Sequence, residues 1–348
     1  MTRRAFVTGG AGFIGSALVF ELIKAGWTVT VYDALTYAAA PGTVEALMKA
    51  GARIVTGDVR NREALRAALN ESKADTVFHL AAETHVDRSI DAADDFVTTN
   101  VNGTFEVLEA VRARRDALPA DRADGLVLVH VSTDEVFGAL GPDDAPFSET
   151  TPYDPSSPYS ASKAGSDHLA RAWARTYGLD VRVSNCSNNY GPRQFPEKLI
   201  PLMVLNAFDR KPLPVYGDGS NRRDWLHVAD HARALRLIAE TGAAGRTYCV
   251  GGGAERSNLE VVEAICDIAD RLDPGGAPRR ELIKFVTDRP GHDWRYAIDA
   301  SRIGAELGWA PARDFEDGLA ETVSWYRENA DWWAPLRARY AGGRLGAG

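Results

Sequence analysis

Thr133, Asp134 and Glu135 stand in a row at the end of the apolar run LVLVHVSTDEVFG, which begins at Leu126. A strand of that composition buries itself in a sheet and delivers its last residues to the sheet edge, so a hydroxyl and two carboxyls arrive together where a ligand can meet them. A polar, turn-rich segment follows, and then SSPYSASKAG supplies Tyr159 and Lys163. Residues four apart share a helix face, which brings an ammonium within reach of a phenol and favours the phenolate. A base, an acid and an activated tyrosine on one strand and helix pair form a set for proton transfer at a hydroxyl-bearing substrate. Opposite duties for the two carboxyls require surroundings that push their pKa values apart, and the sequence leaves open which of them is raised. The plainer alternative is an Asp that caps the following turn beside a Glu in solvent.

The elements that must position these residues can be read from the N-terminus. Arg4 to Thr8 reads as a strand, Gly9 to Gly15 as the turn GGAGFIG, and Ser16 to Ala25 as a helix. Glycines at 9, 12 and 15, with Phe13 and Ile14 between, suit a dinucleotide-binding turn: one for tightness, one for close approach to a pyrophosphate, one for helix-on-sheet packing. The next strand, Thr28 to Tyr32, ends at Asp33, placed to bind a ribose diol and to repel a 2'-phosphate, which favours NAD over NADP. A third strand, Arg53 to Thr56, leads into Gly57-Asp58-Val59. Asp58 either meets an adenine amino group or, like Asn61, caps the helix expected from Asn61 to Leu69.

Thr76 to Leu80 reads as a strand closed by Ala81 and Ala82, whose small side chains let a cofactor lie over the backbone. The segment ETHVDRSI that follows is expected as a polar loop with Thr84, His85 and Arg88 as ligand neighbours. Asp94 to Glu109 reads as a helix, extended by Phe105, Leu108 and Val111, in which Asn100 or Asn102 faces a polar partner. Ser157 and Pro158 predict an N-cap and first-turn proline that start the Tyr159 helix. Strands and helices alternate as a doubly wound parallel sheet requires, up to the strand Asp180 to Asn185. Glycine and prolines in SNNYGPRQFPEKLIPLMV then break the pattern.

Composition sets the bounds. The chain has 348 residues, 45% apolar and 25% charged, with a net charge of -8; these values suit a globular protein and argue against nucleic acid or an anionic membrane as the main partner. No run approaches a membrane span, and MTRRAFVTGG lacks a signal-peptide pattern, so a cytoplasmic location is expected. Cys186, Cys249 and Cys266 are scattered in apolar context, which predicts reduced core thiols, and neither they nor the seven histidines form a metal-ligand set.

GGAGFIGS, LAAETHVDRSI, VSTDEVFG, YSASKAGSDHL, NCSNNYGPRQFPEKLIPL, VYGDGSNRRDWLHVADHARAL and TDRPGHDWRYAID together resemble the extended short-chain dehydrogenase/reductase family of nucleotide-sugar enzymes, nearly end to end. Within it they are most similar to the 4,6-dehydratases that act on dTDP-glucose. Sugar epimerases of the family share the glycine turn and the Tyr/Lys pair but lack the adjacent Asp-Glu. The resemblance implies a Rossmann-like NAD-binding part over 1–185, rejoined by 225–250. It also implies a smaller mixed α/β nucleotide-sugar-binding part over 186–224 and 251–340, and a homodimer formed through helices of the first part; residues 341–348 read as a flexible tail.

Roles follow from the same resemblance. Tyr159 takes the C4 hydroxyl proton as hydride passes to NAD, Thr133 bonds that oxygen, and Lys163 holds the tyrosine and the nicotinamide ribose. Glu135 removes the C5 proton and Asp134 protonates the leaving C6 hydroxyl. Asn188 and Asn189 suit a sugar or diphosphate; Asn189, Lys198 and Leu199 are expected along the nucleotide, with Pro214 and Tyr216 on a further strand that approaches it. Arg223 matches a phosphate-contacting arginine. Asn258 reads as a helix cap or a nucleotide contact, and Arg289, His292 and Tyr296 complete the nucleotide site. Arg222 and Trp294 depart from the family pattern. The rival readings are a C4 epimerase, a dehydratase of another nucleotide hexose, and a non-catalytic dinucleotide-binding regulator.

Overall fold

The structure, a computed structural model, describes residues 2–288 and 292–339; the expected site residue Arg289 and the expected tail 341–348 lie outside the described residues. Its frame is a parallel sheet of seven strands: β1 (Arg4–Thr8), β2 (Thr28–Asp33), β3 (Arg53–Thr56), β4 (Thr76–His79), β5 (Val127–Thr133), β6 (Asp180–Cys186) and, from much later in the chain, β10 (Thr247–Val250). They lie in the order β10-β6-β5-β4-β1-β2-β3. The strand order reverses between β1 and β4, and that switch point opens a crevice at the carboxyl ends of the strands.

Register decides what stands at the crevice. Thr8 is level with Tyr32 on one side and His79 on the other, and His79 is level with His130. β5 runs three residues beyond His130, so Thr133, paired with Cys186, projects past the neighbouring strand. All seven residues of β5 are buried, as expected of a strand covered on both faces. Helices Phe13–Lys24 and Val228–Thr241 cover one face and are pinned by Arg236 Nε donating to Glu21 at 2.9 Å.

The second half builds two small sheets. β7 (Asn188–Tyr190) and β9 (Arg222–His227) are parallel and β11 (Glu255–Ser257) is antiparallel to β9; β8 (Leu213–Tyr216) pairs in parallel with β12 (Ile283–Val286). Their core joins Val204, Leu213, Val262 and Ile265 to Leu319, Val323 and Tyr326 of the helix Phe315–Glu328. Among the described residues, no helix is long and apolar enough to cross a membrane. The three cysteines are free and buried.

Three local expectations change. ETHVDRSI is not a plain loop: Val86–Asp91 is helical, with His85 Nδ1 accepting from the Arg88 N–H at 3.4 Å. Asn61, not Asp58, caps the next helix, Arg62–Ser72, by accepting from the Ala64 N–H at 3.1 Å. The Asp94–Glu109 helix is interrupted by a π-helical turn over Val97–Gly103, a form that often marks functional positions. The turn buries Asn100, whose side chain accepts from Glu83 N at 2.9 Å and donates to Glu83 O at 3.0 Å and Ser162 Oγ at 2.9 Å. Asn100 thereby ties the chain beyond β4 to the Tyr159 helix.

Candidate active site

The glycine turn is as tight as its spacing predicts. Gly9 adopts φ +68°, and a Cβ there would lie 2.6 Å from Ala81 N; one on Gly15 would lie 2.1 Å from Gly9 O. No side chain caps the helix Phe13–Lys24 at Gly12, so its first N–H groups face outward with the positive end of the helix dipole. Asp33 braces the turn from the end of β2, accepting from Ala11 N at 2.9 Å and Leu35 N at 2.8 Å. Burial raises the Asp33 carboxyl, and those two bonds oppose it. The sequence pair Gly9–Gly15 and Asp33 thus forms a cradle that fits a dinucleotide: uncapped N–H groups for a pyrophosphate, a carboxylate for a ribose.

Ser157 and Ser160 form a capping box around Pro158, which starts the helix Pro158–Tyr177 and buries Tyr159 and Lys163 in its first two turns. Thr133 closes β5 and accepts from the Glu135 N–H at 3.3 Å, winding Asp134–Phe137 into a short 3-10 turn. Both elements deliver side chains to one cavity of about 370 Å³. Its lining includes the five expected catalytic residues, Thr133, Asp134, Glu135, Tyr159 and Lys163. The expected cofactor neighbours Gly9, Gly12, Phe13, Ile14, Gly15, Asp33, Asp58, Val59 and Ala81 line it too, as do Thr84, Asn188, Asn189 and Lys198.

Electrostatics separates the carboxyls in a way the sequence left open. Asp134 is buried, and its Oδ2 has no hydrogen-bond partner among the described residues. Burial first, then the charges of Glu135 and Asp224, push its carboxyl well above the ordinary range, against Thr133 and Arg223. These surroundings favour its protonated form. Tyr159 differs from expectation. Lys163 Nζ donates to the Val131 carbonyl at 2.9 Å, and burial followed by the charge of Glu135 holds the phenol well above its usual value, opposed by a hydrogen bond with Thr133. The pull toward phenolate expected from Lys163 is outweighed because the phenol is buried beside carboxyls.

The remaining expected substrate residues lie off this cavity. His85 serves as the helix cap and stands 3.5 Å from Glu197. Leu199 begins the helix Leu199–Phe208 and packs against the second core. Asn258 is not a cap: Ser257 and Glu260 form the capping box of the helix Asn258–Leu272, and the Asn258 N–H bonds Asn221 O. Pro214 and Tyr216 lie on β8, where the Tyr216 and His292 rings meet edge to face at 6.1 Å, with His292 Nδ1 2.7 Å from Asp288. Arg223 is buried, stacks over Tyr296 at 4.4 Å and donates to the carbonyls of Arg222 and Asp293 at 2.7 and 2.9 Å. Its charge reaches Asp134 and that of Glu135 reaches Tyr296, so this group faces the carboxyls. Arg222 pairs with Glu260 at 3.5 Å, and Trp294 is partly exposed.

Residues not anticipated also line the cavity: Tyr37, whose ring meets Phe195 at 5.6 Å and Arg88 at 4.0 Å, and Cys186 and Ser187 at the end of β6. Their positions just past carboxyl ends of parallel strands were the signal available for them.

A switch-point dinucleotide cradle joined to a Ser/Thr-Tyr-Lys set and paired carboxyls defines an enzyme of the extended short-chain dehydrogenase/reductase class. More narrowly, the chain belongs to the family described as GDP-mannose 4,6 dehydratase, whose sequence model matches residues 6–322. It is 57% identical over 347 residues to a probable dTDP-glucose 4,6-dehydratase of Sinorhizobium fredii, covering 99% of this chain and 98% of that one. It is 52% identical to a dTDP-glucose 4,6-dehydratase of Neisseria meningitidis, with 99% of each chain covered. Among solved structures it is similar to the dTDP-glucose 4,6-dehydratase DesIV of Streptomyces venezuelae, solved with NAD bound, at a TM-score of 0.87 and 45% identity over 96% of this chain and 99% of that one.

Proposed function

We propose that the protein is an NAD-dependent lyase that converts dTDP-glucose to its 4-keto-6-deoxy form and works as a homodimer. One observation carries the reaction: Asp134, buried and with its carboxyl raised by that burial, stands beside Glu135 at the end of β5 in one cavity with Tyr159. A C4 epimerase would need only Thr133, Tyr159 and Lys163 and would leave that buried acid without a use. The thymidine nucleotide rests on the names of the similar proteins above.

Water is hard to eliminate across C5 and C6 of a hexose because the C5 hydrogen is not acidic, and a ketone at C4 makes it so. Bound NAD supplies this change by accepting a hydride from C4 and returning it to C6, so no net redox occurs. The N–H groups of the glycine turn hold the pyrophosphate and Asp33 the adenosine ribose, while Lys163 serves the nicotinamide ribose. The positive charge of oxidised NAD would, with Lys163, favour the phenolate that burial alone disfavours, and as phenolate Tyr159 takes the C4 hydroxyl proton, with Thr133 bonded to the same oxygen. Glu135 then removes the C5 proton, and Asp134, whose protonated form burial favours, gives its proton to the departing C6 hydroxyl, which leaves as water; once the hydride has reached C6, C5 is reprotonated. Asn188, Asn189 and Lys198 serve sugar and diphosphate from the cavity wall, with Arg223, Tyr216 and His292 on the nucleotide side. The homodimer, through helices of the first part, rests on the family resemblance.

Incubation with dTDP-glucose and no added reductant tests the reading. A 4-keto-6-deoxy sugar nucleotide is expected; a galactose product would establish epimerisation, and no turnover of any nucleotide hexose would leave a regulator. Light scattering on the purified chain gives the assembly state, and a monomer would overturn the dimer.

A further inference from the structure

Asp167 lies one turn beyond Lys163 on the helix Pro158–Tyr177, on the same face, and is fully buried. Its Oδ1 is 3.0 Å from His130 Nε2, and its Oδ2 accepts from the Tyr153 hydroxyl at 2.8 Å and Asn185 Nδ2 at 3.1 Å. Asn185 donates through the same nitrogen to the Thr133 carbonyl at 3.1 Å. One carboxylate thus joins the Tyr159 helix to β5, β6 and the segment before the helix, and reaches the backbone of Thr133. None of the proposed steps uses it.

We propose that Asp167 is a positioning residue for this chemistry, the counter-charge of the buried Lys163 ammonium and, through Asn185, the anchor of the Thr133 carbonyl. The inference rests on the dehydratase reading for the reaction it serves. Among the described residues the Lys163 ammonium donates to a neutral carbonyl and forms no direct ion pair, which is costly for a buried charge; a carboxylate one turn along the same buried face offsets part of that cost through space. Burial pulls Lys163 down, and Asp167 is the first group that opposes it. Burial would likewise raise Asp167, yet the His130 hydrogen bond, Lys163 and Tyr153 together hold it below the ordinary carboxylate range.

The other titratable groups around the pair are Tyr153, Tyr159 and Arg171, with His79 on β4, His130 on β5 and Cys186 on β6. Burial holds both imidazoles neutral and raises both phenols and the thiol. Of the nearby carboxyls, Glu135 acts on Tyr159 and Asp134 on Tyr159 and Cys186, whereas Asp167 is the carboxylate that acts on Lys163.

Asp167→Asn keeps the volume and removes the charge. The expected result, with dTDP-glucose, is a fall in kcat of about tenfold or more with KM changed by less than about threefold. The alkaline limb of the kcat profile should also move to lower pH, because Lys163 loses its proton more readily. Tyr153→Phe removes a hydrogen bond but keeps the charge, so its limb should stay in place. A limb unmoved in Asp167→Asn, or moved equally in both variants, overturns the proposal.

Thermal unfolding of Lys163→Met, Asp167→Asn and the double variant reads the same pairing without an assay. The double variant, with no unpaired buried charge, should melt above both single variants; a melting point that is not above both overturns the proposal. Failure of wild type to turn over dTDP-glucose would count against the dehydratase reading alone, since the unfolding cycle still measures the pair.

Discussion

The Thr133 hydroxyl donates to Asp134 Oδ1 at 3.2 Å, while the other oxygen of that carboxyl is sealed from solvent and has no partner among the described residues. The same hydroxyl accepts from the Glu135 backbone and shares a hydrogen bond with Tyr159, so one residue joins the group proposed to act at C4 to the two proposed to act at C5 and C6.

Replacing Asp134 by Asn should therefore separate oxidation from dehydration. Turnover should fall by about 10²- to 10⁴-fold, the ordinary contribution of a general acid, while enzyme-bound NADH still forms on mixing with substrate and is seen by its absorbance. Stability should move the other way. Because the folded-state pKa lies above the unfolded value of 3.8, the native protein is progressively penalised as pH rises above about 4. The Asn variant should melt above wild type near pH 7, with the gap closing below about pH 4. A lower melting point at neutral pH would show that Asp134 is stable there as a carboxylate.

Glu135→Gln keeps the 3-10 turn, whose bond comes from the Glu135 backbone N–H, but removes the base. In deuterium oxide, label should no longer enter C5, and product formation should fall by about 10²-fold or more. Full exchange at C5 in the variant would assign the base elsewhere.

The sequence was most legible where one local signal sufficed. A continuous apolar run announced β5 and its reactive end, and Ser157-Pro158 fixed where the Tyr159 helix begins. It was least legible where several local signals competed. Asp58 and Asn61 are both good caps, and Asp58 is taken up by the Arg60 guanidinium, at 3.0 Å from Nε, so the cap falls to Asn61. His85 is not a favoured cap, so the helix it starts had no signature. The π-helical turn that buries Asn100 depends on partners from two other segments, which periodicity along one helix does not carry. Asp167 did have a signal: an acid four residues after Lys163 shares its face and is buried with it. Arg223 meets Asp293 and Tyr296, and His292 meets Tyr216, across about seventy residues of sequence, contacts that no local pattern carries, so the nucleotide side was accessible only by resemblance.

Gly15→Ala should damage the cofactor cradle. The added Cβ would lie 2.1 Å from Gly9 O and 2.8 Å from Gly10 Cα, both backbone, so the turn itself has to move. Overpacking of this kind costs about 1–3 kcal/mol, and the N–H groups lose their alignment on the pyrophosphate. The nucleotide released on denaturing the purified variant should be well below that from wild type. Gly26→Ala is the control: it is strained by its φ of +84° but meets nothing within 4 Å, so it should cost about 1 kcal/mol and leave nucleotide content unchanged.

Acid should weaken the fold through buried imidazoles. His79 and His130 are held neutral by burial, His227 is lowered to about 4 and His231 to about 3, in each case mainly by burial. Below the unfolded value of 6.5 the unfolded chain binds protons that these native sites refuse, so stability present above pH 6.5 is lost as pH falls toward 4. His231 Nδ1 is 2.9 Å from Asn189 Oδ1, a contact that makes Nδ1 the donor and leaves Nε2 an unpartnered acceptor. Substituting His231 by Gln should retain a donor to Asn189 while removing a titrating group. Urea unfolding between pH 7 and pH 4.5 should show a pH slope shallower by about one proton in the variant than in wild type. Equal slopes would mean that His231 is protonated in the native protein as readily as in the unfolded chain.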